Sequence, residues 1–316
     1  MIVPSSASAS AIASADLPLA VGPAMSATRG RSEGSGLLIA TLIASEQGLG
    51  AREIATARDA VAGVGGIAGE AEWLEDGIAA DVPLARIDAV AGRAALEGLL
   101  PGVDIVVQPR AGRAKRLLVA DMDSTMITIE CIDELADYAG IKAEIADVTE
   151  RAMRGEQDFE AALDARVGLL AGLGAEMIDR CHEERVRLMP GATSLVRTMR
   201  ANGARCVLVS GGFTVFADRV AAAIGFDRAL SNVLDVADGK LSGTVARPIV
   251  GAETKRQTLL AESGALGLAA SETLAVGDGA NDIPMIQAAG LGVAYHAKPK
   301  TAAAAAARIE HGDLTA

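Results

Sequence analysis

Strands and helices alternate along the larger, C-terminal part of the chain, and this alternation restricts the fold more than any other feature. Four short apolar runs are predicted to be buried strands, over residues 116–120, 204–209, 273–276 and 291–294. Stretches with helical periodicity separate them. Such an alternation is typical of a mostly parallel sheet that is covered by helices on both faces. The sequence therefore predicts an α/β fold with a Rossmann-like sheet.

Four helical stretches lie between the first and the second predicted strand, where a simple crossover needs only one helix. They span residues 131–139, 142–154, 158–171 and 175–188. We interpret this helical insertion, over about residues 131–189, as a cap that covers the sheet.

A smaller unit precedes the sheet. An apolar run from Leu37 to Ala44 is followed by a helix, two strand candidates, a second helix and a β-branched run. This order suggests a ferredoxin-like α+β domain over residues 37–108. We expect a disordered lead-in over residues 1–36, a linker over 109–115 and a second domain over 116–316.

Composition excludes several function classes. Asp and Glu outnumber Lys and Arg by 41 to 29, and aromatic residues make up 2% of the chain. Binding to nucleic acid or to an anionic membrane surface is therefore not expected, and no apolar run reaches the roughly 18 residues of a membrane span. Three widely spaced cysteines predict a reducing, cytoplasmic location. Because the chain has only three histidines, carboxylates are the expected catalytic groups.

Two aspartates follow the first predicted strand of the parallel sheet. Asp121 and Asp123 lie directly after residues 116–120, at the end of the strand where open α/β sheets bind ligands. Because they are two residues apart in extended backbone, both side chains can face one cavity. Their adjacent negative charges then require a cation or a shared proton. Taken alone, the pair is more typical of acids that form a turn or cap a helix, and only its context favours a catalytic role.

The third predicted strand also ends in acidic residues. Asp278, Asn281 and Asp282 lie in the segment Gly277 to Asp282, which by itself is typical of a glycine turn followed by a helix cap. Together with the first pair, these acids can form a site of oxygen ligands suited to Mg²⁺.

The remaining two motifs are suited to an anion. Ser210, Gly211 and Gly212 end the second predicted strand and lead into a helix, so a hydroxyl and backbone amides meet at a helix start. Lys255 lies near the start of a later helix, where a solvated lysine is the alternative. The four motifs in this order predict phosphoryl transfer through an aspartyl phosphate.

The motifs and their order resemble the haloacid-dehalogenase-like phosphatases. Residues 116–311 are similar in particular to the phosphoserine phosphatases of that superfamily, including the cap after the first motif. The resemblance implies that Asp121 is the nucleophile. It also implies that Asp123 first donates a proton to the leaving serine oxygen and then accepts one from the attacking water.

The same resemblance implies a magnesium site. Its ligands would be Asp121, the main-chain carbonyl of Asp123, and Asp278, with Asp282 and Asn281 ordering the surroundings. Asn281 is also expected among the residues that bind the substrate.

Further residues are expected to bind the substrate by resemblance. Ser210, Gly211 and Lys255 would hold the phosphoryl oxygens. In the cap, the implied substrate-binding residues are Glu130 for the ammonium group, Arg166 for the carboxylate, and Met153 and Phe159 for the shape of the pocket. Without the resemblance, Glu130 is equally well a helix-start acid and Arg166 a surface arginine.

The resemblance therefore implies Mg²⁺-dependent hydrolysis of L-phosphoserine to L-serine and phosphate, the last step of the phosphorylated serine pathway. One alternative keeps this chemistry for another small amine phosphate or for a phosphotransferase. An alternative of another class is an amino-acid-binding regulatory protein with a vestigial catalytic domain. The N-terminal unit resembles, more loosely, the regulatory ACT-like domains. A ligand or a homodimer contact there is left open beside a purely stabilising role.

Overall fold

The structure is a computed structural model that describes residues 37–46, 48–153 and 156–316. The lead-in that the sequence predicts over residues 1–36 lies outside this part of the chain.

The N-terminal elements form an antiparallel sheet covered by two helices. In chain order they are β1 (Leu38–Ala44), α1 (Ala51–Gly63), β2 (Ile67–Ala68), β3 (Glu72–Glu75), β4 (Ala79–Ala85), α2 (Ala89–Leu96) and β5 (Val103–Pro109). The strand order is β2-β4-β1-β5, and β3 also pairs with β4. Apart from the two-residue β2, these are the strands and helices that the sequence predicts for a ferredoxin-like unit. Its likeness to ACT domains and the boundaries at residues 108 and 116 stay predictions.

The rest of the chain alternates between strands and helices. In chain order it forms β6 (Leu117–Ala120), α3 (Cys131–Ala139), α4 (Lys142–Met153), α5 (Phe159–Leu169), α6 (Glu176–Arg185), α7 (Ala192–Ala201), β7 (Arg205–Phe213), α8 (Thr214–Ile224), β8 (Arg228–Asn232), β9 (Leu234–Ala237), β10 (Lys240–Val245), α9 (Ala252–Ala265), β11 (Thr273–Gly277), α10 (Ile283–Ala288), β12 (Leu291–Tyr295), α11 (Pro299–Ala304) and β13 (Ala307–Ile309).

Six of these strands form one parallel sheet in the order β13-β12-β11-β6-β7-β8. Along β6, Leu118 and Ala120 enter one buried apolar cluster, whereas Leu117 and Val119 enter another. A strand that is buried on both faces needs a continuous apolar sequence. The predicted α/β fold is confirmed. The predicted motifs lie at the carboxyl ends of β6, β7 and β11, and Ser210 to Gly212 form the irregular last part of β7 itself.

The C-terminal alanine run differs from the prediction. The sequence suggests a terminal helix over residues 302–307, but α11 ends at Ala304 and β13 begins at Ala307. Ala307 and Ile309 are buried and pair with β12, so burial and sheet pairing outweigh the helix propensity of alanine. Since β8 was not predicted either, the sheet has six strands where the sequence suggests four.

Helices α3 to α6 all lie between β6 and β7 and form the cap. They match the four predicted helical stretches, although α5 and α6 end two and three residues earlier, at Leu169 and Arg185. The described helices do not include one with the length and apolar character needed to cross a membrane.

A buried acid joins the N-terminal sheet to the segment after β13. Asp104 on β5 is 3% exposed, and its carboxylate accepts hydrogen bonds from the backbone N–H groups of Glu310, His311 and Gly312 at 2.8–3.2 Å. The N-terminal sheet is therefore joined to the parallel-sheet region by hydrogen bonds as well as by the chain that follows β5.

Candidate active site

A buried acid and a buried lysine meet at the carboxyl end of β6. Oδ1 of Asp121 accepts hydrogen bonds from Nζ of Lys255 at 2.6 Å and from the backbone N–H of Met122 at 2.7 Å. The same ammonium group contacts Oδ1 of Asp282 at 2.7 Å. Burial lowers the pKa of Lys255, but the charges of Asp121 and Asp282 outweigh this effect and raise the pKa overall. Lys255 is therefore a charged group inside the site, not a solvated surface lysine.

The loop after β11 folds around the carboxylate of Asp282. Oδ2 of Asp282 accepts hydrogen bonds from the backbone N–H groups of Asp278 at 3.1 Å and Gly279 at 2.9 Å. A Cβ atom at Gly277 would lie 2.4 Å from Cγ of Asp282, so this close approach requires glycine. Since both oxygens of Asp282 already accept hydrogen bonds, this residue organises the loop from within.

The acidic residues of the two loops fit a divalent cation. Carboxylate oxygens of Asp121, Asp278 and Asp282 lie within 4.8 Å of one another, and Thr125 donates a hydrogen bond to Asp278 at 3.3 Å. Burial and then the charge of Asp282 raise the pKa of Asp121 well above its ordinary value, and Lys255 only partly offsets them. This excess of negative charge, carried by oxygen ligands, matches what Mg²⁺ prefers. Because both oxygens of Asp282 already accept hydrogen bonds, Asp121 and Asp278 are the better candidates for direct ligands.

The second acid of the first loop has a different environment. Oδ1 of Asp123 accepts a hydrogen bond from the backbone N–H of Cys131 at 3.0 Å, and Oδ2 accepts one from the hydroxyl of Ser210 at 3.3 Å. Burial raises the pKa of Asp123, while these hydrogen bonds act in the opposite direction. Unlike Asp121, Asp123 is held by a backbone amide and a hydroxyl and not by the ammonium group of Lys255. Two neighbouring carboxylates in different environments can divide acid and nucleophile roles between them.

The group of Asp121, Lys255, Asp278 and Asp282 forms the floor of the site. Two charged residues at the cap face this floor. Glu130 precedes α3, where its side chain makes no helix-capping hydrogen bond, and its Oε1 instead accepts one from the hydroxyl of Ser124 at 2.7 Å. Desolvation in the cleft and the charge of Asp123 raise the pKa of Glu130 to about 7, although part of the residue stays open to solvent. Arg166 is half-buried on α5 and interacts electrostatically with Glu130 and Asp123. These two residues therefore face the same region of the cleft as the acids of the first loop.

Phe159 brings the cap into contact with the floor. Cβ atoms built at Gly211 and Gly251 would lie 3.3 Å and 3.2 Å from the Phe159 ring, so the ring packs over both glycines. Asn281 is half-buried in the loop after β11. The side chain of Met153, also predicted to shape the pocket, lies outside the described part of the structure.

Three polar residues of the site were not predicted from the sequence. Ser124 and Thr125 hold Glu130 and Asp278, and their position directly after the Asp-x-Asp pair was a usable signal. Asn232, at the end of β8, gave no such signal, because it forms hydrogen bonds with Gly211 and Val250, which are distant in sequence.

The fold and the site together define a class of α/β hydrolase. A nucleophile candidate, a buried lysine and an acidic loop lie at the carboxyl ends of parallel strands, beneath a helical cap. The model of the haloacid dehalogenase-like hydrolase family matches residues 118–287. The chain belongs to this family.

Individual relatives are similar over different parts of the chain. A phosphoserine phosphatase of Polaromonas sp. strain JS666 is 48% identical over 204 residues, which are 63% of this chain and 86% of the relative. The unliganded crystal structure of a probable phosphoserine phosphatase from Vibrio cholerae has a TM-score of 0.70 and 35% identity, and the match covers 89% of this chain and 84% of that one. A phospho-aspartyl intermediate analogue of phosphoserine phosphatase has a TM-score of 0.60 and 36% identity, over 64% of this chain and 97% of that one.

Proposed function

We propose that the protein hydrolyses L-phosphoserine to L-serine and inorganic phosphate, with Asp121 as the nucleophile and Mg²⁺ as the cofactor. The observation that carries the proposal is the contact of buried Asp121 with Lys255, beside Asp278 and beneath Glu130 and Arg166 of the cap. The similarity to phosphoserine phosphatases over the same residues supports this substrate.

Two displacement steps account for the reaction. A carboxylate oxygen of Asp121 forms a bond to phosphorus while the bond from phosphorus to the serine oxygen breaks, which leaves an aspartyl phosphate. Water then attacks the same phosphorus, the acyl phosphate bond breaks, and phosphate leaves with the carboxylate of Asp121 restored. Lys255 favours the ionised form of Asp121, a bound Mg²⁺ would favour it further, and Lys255 offers its charge to the phosphoryl oxygens.

Asp123 moves the proton in both steps. The serine alkoxide is a strongly basic leaving group, so it needs a proton as the ester bond breaks. Burial raises the pKa of Asp123, and Mg²⁺ bound to the carboxylate of Asp121 would lower the proton affinity of that neighbour, so Asp123 is the acid that can donate the proton. After the donation, the same carboxylate accepts a proton from the attacking water, which returns Asp123 to its starting state.

The phosphoryl group would be bound at the floor of the site. Ser210, Gly211 and Lys255 are proposed to hold its oxygens, with Asn281 beside them. Asp121, Asp278 and the main-chain carbonyl of Asp123 would hold Mg²⁺. When bound, Mg²⁺ supplies positive charge to an oxygen-rich centre and so favours attack by one anion on another.

The cap residues would select the amino acid. Glu130 is proposed to bind the ammonium group and Arg166 the carboxylate, since a carboxylate and a guanidinium face one region of the cleft. Phe159 and Met153 are proposed to enclose the carbon chain. A zwitterionic phosphate ester satisfies both charges at once.

Phosphate release from three esters tests the substrate. L-phosphoserine should be turned over faster than phosphoethanolamine, which lacks the carboxylate, and homoserine phosphate, which is longer by one carbon. Removal of divalent cations with a chelator should abolish the activity, and added Mg²⁺ should restore it. Equal turnover of all three esters would contradict the proposed specificity, and activity without a divalent cation would contradict the cofactor.

The cellular location and the oligomeric state of the protein are also proposals. The three cysteines are free and buried, which supports a reducing compartment such as the cytoplasm. A homodimer stays a prediction that light scattering of the purified chain would test.

A further inference from the structure

The last residue of β8 contacts two segments of the active site. Asn232 is 1% exposed, and its side chain makes three hydrogen bonds to the main chain. Its Nδ2 donates to the carbonyl oxygens of Gly211 at 2.9 Å and Val250 at 3.2 Å, and its Oδ1 accepts from the N–H of Val250 at 2.7 Å. A side-chain amide has two donors and one acceptor group, so every polar group of Asn232 is used.

The first segment is the irregular end of β7, Ser210 to Gly212, which is proposed to bind phosphate. The peptide that joins Gly211 to Gly212 is planar, and both of its polar atoms are held. Its carbonyl oxygen accepts from Asn232, while its N–H donates to the hydroxyl oxygen of Ser210 at 2.8 Å. That hydroxyl in turn donates to Asp123. The orientation of this peptide therefore determines where the Ser210 hydroxyl lies.

Regular sheet pairing is interrupted at this end of β7. Val209 pairs with Leu230 and Phe213 with Asn232, with an irregularity between the two pairs. Three residues of β7 thus lie opposite a single residue of β8, as in an enlarged β-bulge. Because the ladder is interrupted there, the Asn232 side chain replaces ladder contacts with specific hydrogen bonds.

The second segment leads to the lysine of the site. Val250 immediately precedes Gly251, the N-cap residue of α9, and Lys255 is the fourth residue of that helix. The backbone N–H of Lys255 donates to the carbonyl oxygen of Gly251 at 3.1 Å. The two hydrogen bonds between Asn232 and Val250 therefore hold the start of the helix that carries Lys255.

We propose that Asn232 is a positioning residue for phosphoryl binding. It fixes the end of β7 at Ser210 and Gly211 to the start of α9, so that the Ser210 hydroxyl, the backbone amides of this segment and the ammonium of Lys255 keep one relative arrangement around the phosphoryl oxygens. Asn232 acts through these groups and does not itself touch the substrate. The inference rests on the proposed phosphatase function.

Substitutions of Asn232 test this role. Asn232→Ala removes all three hydrogen bonds, and Asn232→Asp keeps the shape but places a carboxylate against two carbonyl oxygens. We expect both to lower kcat about 10- to 100-fold, since small displacements of binding groups have effects of this size. The loss should be of equal size for L-phosphoserine and p-nitrophenyl phosphate, which lacks the amino acid. The inhibition constant of inorganic phosphate should rise in parallel.

Asn202→Ala is the matched control, because Asn202 also donates from Nδ2 to a carbonyl oxygen, that of Thr198 at 2.8 Å, but at an exposed helix end. It should leave kcat and phosphate inhibition unchanged. Asn232→Ser retains one donor and should recover part of the lost kcat.

Two results would overturn the proposal. One is a folded Asn232 variant with unchanged kcat and phosphate inhibition but a lower unfolding temperature, which would show a purely structural role. The other is a loss confined to phosphoserine, which would place the effect in the cap. If Asn232→Ala does not fold, the isosteric Asn232→Asp carries the test.

The outcome is separable from the proposed function. A wild-type protein that hydrolyses p-nitrophenyl phosphate but not phosphoserine would refute the proposed substrate and still allow Asn232 to be tested. If neither ester is hydrolysed, thermal unfolding measures phosphoryl binding directly. Inorganic phosphate with Mg²⁺ should stabilise the wild type against unfolding, and Asn232→Asp should lose this stabilisation. Equal stabilisation of the two proteins would refute the positioning role.

Discussion

At the floor of the site, the buried ammonium group of Lys255 contacts two buried carboxylates, those of Asp121 at 2.6 Å and Asp282 at 2.7 Å. In contrast, Glu130 and Phe159 of the cap are partly open to solvent. Their observed contacts are with Ser124 and with the glycines beneath the ring. The floor is therefore preorganised by its own charges and hydrogen bonds, whereas the cap residues keep exposed surface that a ligand can contact.

Because of this difference, substitutions in the two regions should affect activity in different ways. A preorganised floor acts on the phosphoryl group of any ester, so damage there should lower kcat for every substrate. Cap residues that contact only the amino acid should change kcat/KM for phosphoserine and leave other esters nearly unaffected. Each of the following experiments can contradict this division.

The largest effect is expected for the nucleophile. Asp121→Asn keeps the shape of the side chain but removes the anion that attacks phosphorus, so Mg²⁺-dependent turnover should fall by about 10³-fold or more for all esters. Steady-state phosphate release measures this. Asp218→Asn, at an exposed acid on α8, should retain full activity. Substantial Mg²⁺-dependent turnover by Asp121→Asn would mean that another group attacks phosphorus.

Gly277→Ala tests how tightly the floor is built. The added Cβ would lie 2.4 Å from Cγ of Asp282, so Asp282 must move away from Lys255 and from the loop amides. We expect kcat to fall about 10- to 100-fold and the Mg²⁺ concentration for half-maximal activity to rise.

Gly264→Ala is the control for that substitution, because a Cβ atom there meets no atom within 4 Å. Its activity should be that of the wild type. Wild-type kcat and Mg²⁺ dependence in Gly277→Ala would show that the floor adapts easily, and the contrast with the cap would then be wrong.

The sequence was informative where a structural signal is local. The run before Asp121 is apolar without a break, and polar residues follow it at once, so both the strand and its functional end could be predicted. The segments that begin with Ser210 and Asp278 also follow apolar runs directly. Because the carboxyl ends of parallel strands lie on one edge of a sheet, the fold class alone predicted that these segments converge.

Other features depend on contacts that are distant in sequence. Asn232 ends a strand with a polar sequence, and its role depends on Gly211 and Val250, 21 and 18 residues away. Likewise, Ala307 follows an alanine run that favours a helix, and only pairing with β12 makes it a strand. Local propensity could not indicate either outcome.

Among the cap residues, Arg166 should have the larger effect. Arg166→Ala removes the guanidinium proposed to bind the substrate carboxylate, so kcat/KM for phosphoserine should fall about 10- to 100-fold. Turnover of phosphoethanolamine, which has no carboxylate, should change little. Arg180→Ala, which removes a surface ion pair with Glu184 on the same cap, should change neither value. A parallel loss for both esters in Arg166→Ala would refute the carboxylate assignment and the separation of cap from floor.

The smallest effect is expected in the pH dependence of substrate binding. The pKa of Glu130 is raised from 4.5 to about 7, so its carboxylate becomes protonated as the pH falls through about 7. A neutral acid cannot pair with the substrate ammonium, and kcat/KM for phosphoserine should therefore fall on acidification with a slope of at most about tenfold per pH unit. A bound ammonium lowers the pKa, so KM should change more than kcat.

Glu130→Gln removes the titrating carboxylate and so tests whether Glu130 causes the pH dependence. The variant should have a raised KM that no longer depends on pH near 7, whereas an ester without an amino group should show the same pH profile in both proteins.

The free energy of unfolding should change with pH in the direction opposite to substrate binding. Between pH 4.5 and 7 the folded wild type binds more protons than the unfolded chain, so its stability should fall as the pH rises through this interval, and the Gln variant should lack this component. If the step in KM near pH 7 persists in Glu130→Gln, the titrating group belongs to the floor and not to the cap.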